Sequence, residues 1–412
     1  MRELRRLATV DVTPLRHRDF RLLFWGQLVS VLGSQLTFVA VPYQVYELTH
    51  STLLVGVLGV CELLPVLALS MVGGLIADHG DRRTIVLSTE LAFAILSGLL
   101  LLNALVPEPA LIAIYAIAGA QAGLFALQRP SLDALTPRLV ERPELTAAGA
   151  LTALRGTVGM LLGPAIGGTL IVSVGLPWTY GADVATFVLS LLALTLMRQT
   201  PPALESERPS LRGVVEGWNF ARNRPELLGT YLVDIVAMFF GMPQALFPAI
   251  AEGMGGPGVL GLLYSAPALG ALLASATSGW TNHVRRHGLA VIVAASVWGL
   301  AIVGFGLSPA AWLALPMLAL AGAADAVSGI FRQSIWNHAV PDPLRGRLAS
   351  IEMLSYMSGP ALGNTESGLA AAVFGVPFAV TSGGILCVVG CLACGALLTD
   401  FRRYEPLPTA SA

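Results

Sequence analysis

Long apolar runs, each ended by a short polar break, dominate the chain. A helix needs about 20 apolar residues to cross the hydrocarbon core of a bilayer. Runs of that length predict spans over residues 21–48, 52–77, 84–105, 110–137, 145–173 and 179–197. A second set is predicted over 227–251, 258–281, 289–307, 311–336, 348–373 and 377–399. The breaks are short except between Arg198 and Pro225, where Pro201, Pro202, Pro209 and many polar residues mark a linker. The expected order is a cytoplasmic N-terminus (1–20), a six-helix bundle (21–197), a cytoplasmic linker (198–226), a second six-helix bundle (227–399) and a cytoplasmic tail (400–412). This is an all-α membrane fold of 12 transmembrane helices in two pseudo-symmetric bundles.

Charge then orients the spans. All 24 basic residues are arginine, and 21 of them fall at the termini, in the linker or in alternate connections, such as Arg82–Arg83, Arg138 with Arg142, Arg285–Arg286 and Arg345 with Arg347. The intervening connections at 107–109, 176–178 and 308–309 have none. Arginine-rich connections stay on the cytoplasmic side, so both termini and the linker are expected in the cytoplasm and the chain in the inner membrane. The polar opening from Met1 to Phe20 precedes an apolar run of full span length, which reads as an uncleaved signal anchor.

Composition agrees with lipid as the solvent: 55% of the 412 residues are hydrophobic and 12% charged, too few for the surface of a soluble domain. A net charge of −1 excludes a nucleic-acid partner. The two halves also repeat. Gly56 and Gly74 match Gly261 and Gly279, Arg129 and Pro137 match Arg332 and Pro341, and the run Gly163–Gly167 matches Gly359–Gly363, at offsets near half the length. Duplicated bundles are a common transporter architecture.

The segment Gly73–Arg83 (GGLIADHGDRR) resembles the G-x-L-A-D-R-x-G-R-R signature between helices two and three of the major facilitator superfamily, departing from it at Ile76, His79 and Asp81. Gly159, Gly163, Pro164, Gly167 and Gly168 meet that superfamily's helix-five pattern for proton-driven exporters. Residues 39–42, 49–52, 102–109, 248–249 and 261–264 resemble the enterobactin (siderophore) exporter branch. The resemblance implies alternating access, with Gly74, Asp78, Arg82, Arg83 and Asp133 as a cytoplasmic latch in which Arg82 reaches Asp133. Read from the residues alone, the same segment is a tight turn with topology charges, and Asp78 sits where it would favour a helix N-terminus. The helix-five glycines form a small-residue stripe that permits close helix crossing. A partner stripe stands at Gly270, Ala274 and Ser278, which would place the crossing between the two halves.

Ionisable residues within spans are costly and mark function. Here they include Glu62, Glu90, Arg129, Asp133, Arg155, Asp183, Asp234, Asp325, Arg332, Glu352 and Glu366. Polar stripes fall on the first span (Gln27, Ser30, Ser34), the fourth (Gln121, Phe125, Gln128), the seventh (Asp234, Met238) and the tenth (Asp325, Ser328, Arg332). In the superfamily these four helices line the central cavity. Asp325, Asp234 and Glu62 are therefore the proton-coupling candidates, since an acid enclosed by apolar surroundings exchanges protons near neutrality. Gln27, Ser34, Gln121, Phe125, Gln128, Arg129, Met238, Ser328 and Arg332 are the substrate-cavity candidates. Each of the acids and arginines among these has a structural alternative in a satisfied ion pair or a snorkelling end.

Cys387, Cys391 and Cys394 have the spacing of an iron–sulfur motif, but they lie in an apolar run that offers no loop to wrap a cluster. No phosphate-binding loop and no zinc-type Cys/His set is present in the sequence. The reading is a non-enzymatic, cofactor-free, monomeric exporter of a small molecule by proton antiport, with a siderophore of the enterobactin type favoured. A multidrug or macrolide exporter is the alternative. A membrane sensor or membrane enzyme is disfavoured by the deep charges and duplicated halves.

Overall fold

The computed structural model describes residues 11–79, 81–198, 219–341 and 344–406. Most of the expected linker and the ends of both tails lie outside these residues. Before the linker come α1 (Arg18–Thr49), α2 (Thr52–His79), α3 (Arg82–Leu105), α4 (Leu111–Leu135), α5 (Leu145–Val174) and α6 (Leu176–Thr195). After it come α7 (Pro225–Phe240), α8 (Phe247–Met254), α9 (Pro257–Ala276), α10 (His287–Gly306), α11 (Ala311–Ala339), α12 (Arg345–Phe374) and α13 (Val376–Leu397). No strand occurs among the described residues. Eleven stretches of them are long and apolar enough to cross a membrane, with α7 and α8 taken as one. The remaining long helix is α12, at 30 residues, which carries Glu352 and Glu366.

The expected single helix over 227–251 is broken. Gly241 and Pro243 interrupt it, and the chain restarts through a short turn at Gln244–Leu246 into α8. Proline has no N–H to continue a helical ladder, so the freed groups need other partners. Trp298 Nε1 of α10 donates to the Gly241 carbonyl at 3.1 Å. The Ala245 N–H donates to Asn364 Oδ1 of α12 at 3.0 Å. The break is thus held on both sides by side chains from neighbouring helices. Phe247 then anchors the restart edge-on against Tyr264 and Phe305.

The chain forms two compact units: Met1–Val41 with Leu64–Arg208, and Pro42–Leu63 with Pro209–Ala412. In the first unit α3 packs against α4 and α6. Phe93 stacks on Phe187 there, with ring centroids 5.3 Å apart, and Leu23, Val86, Leu135, Leu194 and Met197 form a buried cluster. In the second unit α11 packs on α9 and α10, α13 on α10, and α12 on α7. The segment 42–63, the end of α1 and the start of α2, belongs to this second unit. It is held there by glycine-mediated contact. A methyl group added at Gly56 would lie 2.8 Å from the Asn364 carbonyl oxygen, Thr365 Oγ1 donates to the Gly56 carbonyl at 2.9 Å, and Thr52 Oγ1 donates to the Gly368 carbonyl at 3.2 Å.

One turn recurs in both units. Gly175 (φ 85°) ends α5 and Gly375 (φ 88°) ends α12, each followed two residues later by a proline in the first turn of the next helix. A left-handed residue ends the first helix at little cost only if it is glycine, and proline is at home where its missing N–H is not needed. The duplication read from sequence therefore extends to backbone geometry.

Candidate functional site

The second unit is organised around Arg332. The side chain enters from α11 and is only 8% exposed. A guanidinium so enclosed needs anionic partners. One terminal nitrogen donates to Asp234 Oδ1 on α7. The other donates to Asp325 Oδ1 at 3.2 Å, seven residues earlier and two turns away on the same face of α11. The guanidinium carbon lies 5.3 Å from the centre of the Tyr356 ring on α12, a cation–π distance. Two recesses flank this group. Asp234, Asp325, Ser328 and Met238 line one with Trp298. Glu352, Tyr356, Tyr231 and Trp336 line the other with Arg332 and Asp234.

The two acids differ in exposure. The Asp234 side chain is 6% exposed and that of Asp325 42%. One cation therefore serves a buried and an accessible carboxylate together, and it cannot neutralise both. Chemically this is a centre able to take up or release a proton while keeping one ion pair intact.

Glu62 stands apart from this centre. It is half-buried on α2, in the segment that joins the second unit, with no hydrogen bond or ion pair among the described residues. Of the cavity candidates, Met238 and Ser328 join the centre, while Ser34 donates to the Ser30 carbonyl at 3.0 Å. Phe125 is 45% exposed. Arg129 pairs with Asp133, Nε to Oδ2, at 3.1 Å, both side chains more than half exposed.

The first unit has its own polar core, built on Glu90 of α3. This residue is 1% exposed. Its Oε1 accepts from Gln27 Nε2 of α1 at 2.7 Å and from Gln128 Nε2 of α4 at 3.1 Å. Ser30 Oγ of α1 stands 3.1 Å from Oε2. Gln27 and Gln128 are themselves 2% and 5% exposed. Their amides serve Glu90 rather than an open face. Gln121 instead donates to Ser97 Oγ at 3.1 Å, and Ser97 in turn donates to Asp183 Oδ2 at 2.7 Å. Thr37 donates to the same oxygen at 2.6 Å. Glu90 and Asp183 were both visible in the sequence as deep charges. The signal that tied Glu90 to its neighbours was the amide and hydroxyl stripes on the first and fourth spans, assigned above to ligand instead.

Of the latch motif, the structure describes the side chains of Arg82, Arg83 and Asp133. The surroundings of Gly74 and the side chain of Asp78 lie outside what the structure describes. Arg82 Nη1 donates to the Ala134 carbonyl at 3.0 Å, beside Asp133. Arg83 donates to the Leu194 and Thr195 carbonyls at 3.2 and 2.9 Å. The two arginines thus cap the C-terminal ends of α4 and α6, where the helix dipole favours cations. Asp81, a departure from the superfamily pattern, is the residue that caps α3, accepting from the Arg83 N–H at 3.2 Å and Thr84 Oγ1 at 2.7 Å.

The helix-five glycines have close neighbours within their own unit. Gly159, Gly163, Pro164, Gly167 and Gly168 are buried, and the stripe closes on α1 of its own unit. A methyl group at Gly159 would collide with Val31, one at Gly163 with Gln35, and one at Gly167 would lie 3.2 Å from Leu36 Cα. Gly270 closes on Ala319 of α11 in the second unit.

Eleven membrane-length helical stretches among the described residues, with duplicated turns and buried ionic centres, define a polytopic transporter, and solved transporters of the major facilitator type share the fold. A bacterial homologue of the human lysosomal transporter Spinster superposes with a TM-score of 0.72 at 15% identity, covering 96% of this chain and 100% of that one. A bacterial homologue of the iron transporter ferroportin gives 0.70 at 16% identity, covering 94% and 99%. Residues 9–405 match the transmembrane secretion effector family (MFS_3), and the chain belongs to it. It is 35% identical over 401 residues to the enterobactin exporter EntS of Shigella boydii serotype 4 (strain Sb227), covering 96% of each chain, with the same identity and coverage for EntS of Escherichia coli K12.

Proposed function

We propose that this protein exports a siderophore of the enterobactin type across the cytoplasmic membrane by proton antiport and alternating access. It works as a monomer without enzymatic activity or cofactor, with both termini in the cytoplasm and two six-helix halves joined by the linker. The likeness to enterobactin exporters along 96% of the chain supports the substrate class. The observation that supports proton coupling is the Arg332 centre, in which one guanidinium meets both Asp234 and Asp325. A proton arriving on the accessible Asp325 frees Arg332 to pair with Asp234 alone, and its departure restores the shared arrangement. Two charge states with two geometries are what a proton-driven cycle requires.

The test is a deletion strain starved of iron. Its cells should retain catecholate chelator and export it again when the wild-type gene is restored, but not when Asp325→Asn is restored. Normal chelator release by the deletion strain, together with changed macrolide susceptibility, would move the substrate assignment to drugs. Full rescue by Asp325→Asn would remove that acid from the coupling mechanism.

A further inference from the structure

We propose that Glu90 is a second proton site, housed in the first unit and independent of the Arg332 centre. The inference builds on the proton-antiport reading above and adds a site to it. A carboxylate 1% exposed among helices is kept only where its surroundings stabilise it. Around Glu90 that task falls to neutral groups, and their placement on the two oxygens is unequal. Oε1 receives both carboxamides, which can only donate through the nitrogens aimed at it. Ser30 Oγ lies between the two oxygens, 3.1 Å from Oε2 and 3.2 Å from Oε1, and alone among these three donors it reaches Oε2. A hydroxyl both donates and accepts. With Glu90 ionised, Ser30 donates to Oε2. With a proton on Oε2, the new O–H donates to Ser30 Oγ, and the serine hydroxyl turns to another acceptor.

Oε1 keeps both amides in either state. The site therefore holds a carboxylate or a carboxylic acid with one hydroxyl rotation and no repacking. A purely structural ion would be expected to face a fixed cation.

The charged groups around it fit this role. From α1 only Gln27 and Ser30 face it, and from α4 only Gln128, all uncharged. The neighbouring charges are Arg155 of α5 and Asp183 of α6, of opposite sign, and the neutral Ser190 of α6 also borders it. The Nε of Arg155 is buried without a hydrogen-bond acceptor among the described residues. The proton comes from water and returns to water, so nothing else is consumed.

Infrared difference spectra of the purified protein in lipid, recorded between acid and alkaline buffer, test this without any substrate. The wild type should show a titrating carboxylic-acid carbonyl band that Glu90→Gln lacks and Asp325→Asn retains. Identical difference spectra for wild type and Glu90→Gln would overturn the proposal. If Glu90→Gln does not fold, Ser30→Ala must shift that band or its midpoint, because it removes the acceptor for the acid proton; an unmoved band would overturn the proposal equally. In proteoliposomes loaded with a pH dye, Glu90→Gln should release about one proton fewer per enterobactin transported. Enterobactin transport by the wild type with no proton movement would instead sink the antiport reading, whereas the spectra would still decide Glu90.

Discussion

The two units solve the same problem, a carboxylate inside a membrane bundle, by opposite means. In the first, Glu90 is surrounded by Gln27, Ser30 and Gln128, with Ser190 of α6 beside them, so its stabilisation is spread over neutral groups from several helices. In the second, Asp234 and Asp325 converge on one cation, Arg332, so the stabilisation sits in a single side chain. The repeat makes the contrast sharper. Arg332 is the counterpart of Arg129, yet Arg129 is turned outward to Asp133, and its neighbour Gln128 points inward in its place. After duplication, one residue of register on the equivalent helix separates a charged hub from an amide shell. The physical lesson is that a distributed site should tolerate single losses and a concentrated one should not.

The largest effect should come from the hub. Arg332→Met leaves Asp234 buried without its cation and next to a second acid. Breaking a buried pair from one side costs about 3–5 kcal/mol. The variant should melt well below the wild type in detergent and give little or no export. A variant with normal melting and normal export would mean that the two acids are already neutral without it, and the contrast between the units would vanish.

How much of this could be read from the residues alone differs between fold and site. Span positions followed from apolar length because the bilayer fixes it, and α5 at Leu145–Val174 lies within a residue of the expected 145–173. The break at Gly241–Pro243 was written in two residues, but a proline within an apolar run is also found inside continuous helices here, as Pro164 in α5. What decides is the presence of Trp298 and Asn364 to receive the freed groups, and these lie far away in sequence. The Arg332 centre was partly legible, since Asp325 and Arg332 share a helix face. Its tie to Asp234 and the cover by Tyr356 needed the fold. Glu90 shows the reverse: its donors were legible as polar stripes, but the carboxylate they meet was not, because a pattern on one helix cannot say which neighbour it faces.

Within the second unit the comparison can be sharpened by separating the two acids. Asp234 is 6% exposed and Asp325 42%. Asp234→Asn keeps the shape of the buried side chain but loses its ion pair, and should cost about 1.5–3 kcal/mol of stability, the range for a hydrogen bond to a charged group. Asp325→Asn should melt within about 1 kcal/mol of the wild type, because an exposed partner contributes little. Its loss of proton-driven export should be larger, on the order of 5–150-fold, the usual range of coupling between two ligands. Equal melting of the two variants would show that both acids are equally screened and that the buried one has no special claim on Arg332.

The smallest effect should come from thinning the shell of Glu90. Interhelical hydrogen bonds in membrane bundles contribute about 0.6 kcal/mol each on average, so Gln128→Leu should lower stability by roughly that amount, since Gln27 still serves Oε1. Gln27→Leu should behave alike. The double variant removes both amide donors from Oε1 and leaves a buried carboxylate facing hydroxyls alone, so its cost should exceed the sum of the two singles. Thermal melts of the four proteins complete the cycle. Strict additivity would mean that Glu90 takes a proton as soon as either amide is lost, and that stabilisation in the first unit is less widely shared than its geometry implies.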